Sequence, residues 1–105
     1  MINAPALNFG VFMAHQINAI TWETHCALLP VAWGYASLAA EYARDWMFEN
    51  TTCMRLIASI VEDNHLAIRM AKRAGFVQYG LNKNSFLRNG KLHNEVLLGV
   101  SEGDL

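Results

Sequence analysis

The sequence predicts a single α/β (α+β) domain on a mixed sheet, in the order β-β-α-β-α-β-β. Three observations predict it. A clear two-residue alternation runs from Ala19 to Leu29. Two helix-period segments, one opening at Gly34 and one after Asn64, flank the nearly all-apolar run Met54 to Val61. Asn89-Gly90 is a strong hairpin turn signal between two extended segments. Strand–helix–strand units bring parallel pairing and terminal hairpins bring antiparallel pairing, so the sheet is mixed.

Taken in order, Asn8 to His15 reads as the first strand, with Phe9, Val11 and Met13 on one face and about seven residues before it. Gln16-Ile17-Asn18 makes a turn. The second strand places Ile20, Trp22, Thr24 and Cys26 on one face and Thr21, Glu23 and His25 on the other. The two strands form an antiparallel hairpin, and Pro30 ends the run because it cannot donate to a ladder. A helix from Gly34 to about Phe48 sets Tyr35, Leu38, Ala39, Tyr42 and Trp46 on one stripe, opposite Ser37, Glu41, Arg44 and Asp45. Met54 to Val61 fits a central strand covered on both faces. The helix His65 to Ala74 has an inner stripe of Ala67, Met70, Ala71 and Ala74. Its outer face is basic, with His65, Arg69, Lys72 and Arg73. Gly75 suits a left-handed helix end. Phe76 to about Arg88 is extended, with an irregularity near Asn82 to Asn84, and Leu92 to Val100 is the last strand.

Composition narrows the function classes. A chain of 105 residues with 53% hydrophobic and 16% charged residues is one folded domain. The net charge of −1 gives no global field for nucleic acid or an acidic membrane. The first 22 residues are uncharged but carry Asn3, Asn8, His15, Gln16, Asn18 and Thr21, so they are not a membrane span. No basic segment leads an apolar stretch as in a signal peptide, and a soluble cytoplasmic protein is expected. Cys26 and Cys53 read as free buried thiols, and the histidines at 15, 25, 65 and 93 lack metal-ligand spacing.

The chemistry-bearing pattern is Gly34-Tyr35-Ala36, then Asn64 twenty-eight residues after Ala36, then Gly75-Phe76. A glycine loop entering a helix presents bare N–H groups, and the helix dipole favours negative charge there. Both suit a diphosphate. A glycine also serves a tight turn before a helix, and Asn64 also serves as an N-cap.

In this order and spacing, the stretch from about Glu23 to Val100 resembles the C-terminal two thirds of the GNAT superfamily of N-acetyltransferases. It is most similar to the ribosomal-protein N-acetyltransferase branch and to short GNAT-like phage proteins. Val31-Ala32-Trp33-Gly34-Tyr35-Ala36 keeps the Gly-x-Ala end of the family's cofactor loop and lacks its leading Arg or Gln. Asn64, Ala67-Ile68 and Gly75-Phe76 match the next strand end and helix, and Asn89 to Glu95 looks like the closing hairpin.

The resemblance implies an acetyl-CoA-dependent transfer to a primary amine by direct attack in a ternary complex. It implies that the backbone N–H groups of Trp33, Gly34, Tyr35, Ala36 and Ser37 bind the pyrophosphate. Asn64 binds the pantetheine or adenosine side, and Arg69 and Lys72, with Arg73, reach the phosphates. The base comes from the strand before the loop, where Glu23 and His25 share a face. Two departures stand out. Ala71 occupies the position where many members have a tyrosine acid, and the family's usual first strand and two helices are not seen. A homodimer that closes the open side is the preferred solution. The alternative is a non-catalytic GNAT-like module, binding coenzyme A for structure or serving in phage assembly.

Overall fold

The computed structural model describes residues 2–3, 10–28 and 36–105, with side chains described for 13–25 and 38–105. The strands are β1 (Ile2–Asn3), β2 (Gly10–Gln16), β3 (Thr21–Leu28), β4 (Arg55–Val61), β5 (Val77–Arg88) and β6 (Lys91–Ser101). The helices are α1 (Ala36–Asn50), between β3 and β4, and α2 (His65–Arg73), between β4 and β5. The expected element order is therefore present, with the two-residue β1 added ahead of it.

One six-stranded sheet runs β1-β2-β3-β4-β6-β5. The β2–β3 hairpin is antiparallel, from Gly10 opposite Leu28 to Gln16 opposite Trp22. Its turn is closed by Asn18, whose Oδ1 accepts from the N–H groups of Ile20 and Thr21 at 3.0 and 2.9 Å. Among the described strands, only β3 and β4 pair in parallel. The β5–β6 hairpin turns through Asn89 and Gly90, with φ of 52° and 73°. Positive φ at both central residues is what a two-residue turn needs to match the twist of its strands.

Both helices lie on one face of the sheet, and the core fills the space between. Trp22, Leu56, Leu98, Val100, Met47 and Phe76 are all buried there. The helix α2 follows its sequence pattern. Asn64 caps it, with Oδ1 accepting from the Ala67 N–H at 3.3 Å. At its other end the Phe76 N–H reaches Ala71 O at 3.0 Å and the Gly75 N–H reaches Lys72 O at 3.1 Å. This paired closure needs the left-handed backbone that Gly75 supplies at φ 94°.

Three expectations are corrected. The inner stripe of α1 is Ala39, Ala43 and Met47, backed by Ala40 and Trp46, whereas Leu38 and Tyr42 are exposed. Apolar residues surround most of this helix, so periodicity ranked large side chains over the alanines that allow close approach to the sheet. The central strand begins at Arg55, leaving Met54 exposed in the preceding bend. It is also covered on one face only: Leu56 and Ala58 are buried, while Ser59 is exposed on the other side. On that open face Arg55 lies over Gly99, donates to Ser101 Oγ at 3.1 Å and stacks 5.4 Å from the Tyr79 ring centroid. Among the described residues, no helix is long and apolar enough to cross a membrane.

Candidate active site

The site forms where β3 and β4 part. They pair only over Thr21–Glu23 with Arg55–Ile57. Beyond that point Thr24 to Leu28 stay with β2, and Ala58 to Val61 stay with β6. A wedge opens between two strands that remain firmly held on their outer sides. Main-chain groups alternate direction along a strand. The Arg55 N–H donates to Ile20 O, and Ile57 O accepts from Thr24 Oγ1 at 3.3 Å, which sets the phase. The N–H and C=O groups of Ser59, and those of Thr24 and Cys26 opposite, therefore point into the wedge.

A cavity of about 280 Å³ lies in the wedge beneath the helices. Leu56, Ala58 and Ile60 of β4 form its floor, and Ala67, Met70 and Ala71 of α2 form one wall. Thr24, His25 and Asn64 add polar groups, and Arg44 of α1 closes the opposite wall. The Arg44 guanidinium donates to Ala74 O at 2.6 Å and to Asp45 Oδ1 at 2.9 Å. Small side chains on both helices leave this space unfilled.

Glu23 sits at the fork on the open face of the sheet. Its Oε2 accepts from Ser59 Oγ at 3.5 Å, and its Oε1 lies 3.7 Å from His25 Nε2. Glu23 is half-buried and His25 is exposed. The structure thus brings His25 and Asn64 to one cavity, while Glu23 lies beside His25 and Ser59 at the fork and does not line that cavity. Arg69 and Lys72 are exposed on α2 and do not line the cavity. Ala36 and Ser37 open α1, and Trp33, Gly34 and Tyr35 lie outside the described residues.

Sequence reading missed Thr24, Arg44 and Ser59. Thr24 and Ser59 follow from strand register, which a single chain does not reveal. Arg44 has an aliphatic stem that can run along apolar surface, so it sits on the α1 wall despite its charge. Cys53 is a free buried thiol, as expected, and burial pushes it up to about 11. Among the described residues no three His, Cys, Asp or Glu side chains converge on a metal-sized site.

The sequence matches the family model for the acetyltransferase (GNAT) domain over residues 2–77, more than half of the chain. The chain belongs to the GNAT acetyltransferase family. Solved structures of GNAT proteins carry the same fold at low identity. A GNAT-family acetyltransferase from Bacillus anthracis superposes with a TM-score of 0.81 at 22% identity, over 90% of this chain and 59% of that one. Spermidine N-acetyltransferase from Vibrio cholerae, solved with CoA and spermine, gives 0.84 at 19%, over 91% and 59%. Ribosomal-protein-S5-alanine acetyltransferase from Vibrio fischeri gives 0.79 at 20%, over 91% and 55%. The chain thus spans less than two thirds of the length of these GNAT structures. No curated protein matches the sequence.

Proposed function

We propose that this GNAT domain is an acetyl-CoA-dependent N-acetyltransferase acting on a primary amine. The observation that carries this reading is the wedge between β3 and β4, with main-chain groups on its sides that are outside the β3–β4 ladder among the described residues, and a carboxylate at its fork. Acetyl-CoA supplies the acyl group as a thioester, which the amine attacks directly. The bond from the amine nitrogen to the acyl carbon forms as the carbon–sulfur bond breaks. Of the two protons the ammonium loses, one goes to the base and the other passes to the departing sulfur, which leaves as the thiol.

The chain's own groups divide the work. Glu23 takes the proton from the incoming ammonium, and His25 beside it offers a second acceptor. Main-chain N–H groups in the wedge stabilise charge developing on the carbonyl oxygen. The backbone of Trp33 to Ser37 and the N-terminal end of α1 bind the pyrophosphate. Asn64 contacts the pantetheine or adenosine side. Arg69 and Lys72 act from outside the cavity, on the phosphates at its rim. A second copy of the chain covers the open sheet face in a homodimer, since Ile57 and Leu97 are only half-buried there.

Calorimetric titration with acetyl-CoA, alongside its desulfo and 3′-dephospho analogues, tests the reading. Micromolar binding that weakens without the 3′-phosphate is expected, and Gly34→Asp should abolish it by setting a carboxylate against the phosphates. Absence of binding up to millimolar acetyl-CoA would overturn the enzyme reading in favour of a non-catalytic module.

A further inference from the structure

The β4–α2 turn, which delivers Asn64 to the cavity, is held by the β5–β6 hairpin. The hairpin breaks register to do so. Asn82 pairs with Glu95 and Phe86 with His93, so residues 83–85 stand opposite Asn94 alone. Within that surplus Asn84 adopts φ 52° and turns its N–H onto Asn94 Oδ1 at 2.9 Å. The other end of the same amide, Asn94 Nδ2, donates to Glu62 Oε2 at 3.1 Å. The Glu62 N–H returns a bond to Asn94 O at 3.0 Å. One residue further, Asp63 Oδ2 accepts from Arg88 at 3.1 Å. Asn64 follows directly, its N–H on Val61 O at 2.9 Å and its side chain capping α2.

Asn94 is chemically matched to this role. It must accept from a backbone N–H and donate to a carboxylate at once, which a side-chain amide can do. Aspartate would set a second negative charge against Glu62, and alanine would release the exposed Glu62 carboxylate to solvent and untie it from the hairpin. Arg88 and Asp63 are both exposed, so their ion pair adds orientation more than stability.

We propose that Asn94 is a positioning residue for the acyl-donor site, acting through Glu62 on the turn that places Asn64 and the N-terminus of α2. The inference rests on the coenzyme A reading above. It gives the irregularity in β5 a purpose: the extra residues supply the N–H that orients the Asn94 amide.

The test is coenzyme A titration and steady-state kinetics on wild type, Asn94→Ala, Glu62→Gln and Glu62→Ala, with Asn64→Ala for a double-mutant cycle. Loss of one such hydrogen bond corresponds to about a fivefold change in binding. Asn94→Ala and Glu62→Ala should raise the Kd for coenzyme A and the KM for acetyl-CoA by about that factor, with kcat unchanged. Glu62→Gln keeps an acceptor and should bind as wild type. In the Asn64→Ala background Asn94→Ala should cost much less, because both act through one turn. A variant that merely loses folded protein would lower kcat at constant KM. Wild-type affinity in Asn94→Ala, or full additivity with Asn64→Ala, would overturn this inference alone. Failure of the wild type to bind coenzyme A would overturn the reading beneath it as well.

Discussion

The Ser59 hydroxyl lies 3.5 Å from the Glu23 carboxylate, bridging β3 and β4 just past the last pair of their ladder. Glu23 is thereby fixed at the fork, with His25 Nε2 3.7 Å from its other oxygen. Glu23→Gln keeps the size and a Ser59 contact but cannot take a proton. Transfer to amine should fall by about 10²- to 10⁴-fold, the range for a lost general base. Coenzyme A affinity should be unchanged. His25→Gln should retain most of the activity, and the opposite ranking in steady-state assays would move the base to His25.

Arg44 links the two helices through its bond to Ala74 O at 2.6 Å. Its side chain is only 15% exposed and meets one of the last carbonyls of α2, where a cation also suits the helix dipole. Arg44→Met should lower unfolding free energy by about 2 kcal/mol, the loss of a charge-assisted hydrogen bond. Its neighbour Asp45 is exposed, so Asp45→Ala should change stability by less than about 0.5 kcal/mol. Urea denaturation of the two variants checks both values. Equal effects would mean that the ion pair, rather than the α1–α2 tie, is what matters.

Element order, the mixed sheet, the α2 stripe and its Asn64 and Gly75 ends were legible, because each rests on local chemistry: alternation, capping and positive φ. The Asn89-Gly90 turn and the irregularity near Asn84 were legible for the same reason. The wedge was not. Its existence depends on which residues of β3 and β4 face each other, a non-local fact that places Thr24 and Ser59. The α1 face was misread because Leu38 and Tyr42 outweigh alanines in any hydrophobicity pattern, although alanines are what let the helix sit close. The apolar run of β4 suggested two covered faces, yet Ile57 and Val61 are only half-buried on the open side.

Gly75 carries φ 94°, and a Cβ there would meet Leu105 Cδ2 at 3.2 Å. Two penalties therefore combine in Gly75→Ala, a left-handed backbone and a crowded neighbour. The backbone part alone is about 1–2 kcal/mol. Thermal or urea unfolding should show at least that loss. Adding Leu105→Ala should recover only the contact part, since the flexible leucine tip can also move. Full recovery would show that crowding, not conformation, reserves this position for glycine.

Cys53 provides a pH-dependent test of the core. The residue is 2% exposed. Burial raises the thiol from 9.0 to about 11, opposed by a main-chain hydrogen bond with Arg55 and assisted by the Glu102 charge. The sign follows from proton counting. Below pH 9 the thiol is neutral in both the folded and unfolded chains and contributes no slope. Between pH 9 and 11 the unfolded chain gives up this proton while the folded one holds it, so stability falls as pH rises. Tyrosines and lysines titrate in the same window, so the informative quantity is the difference between wild type and Cys53→Ala. The variant should be less stable at neutral pH, through lost packing, and should lose stability less steeply above pH 9. Parallel curves for the two proteins across that window would show that the Cys53 thiol ionises as readily in the folded chain as in the unfolded one.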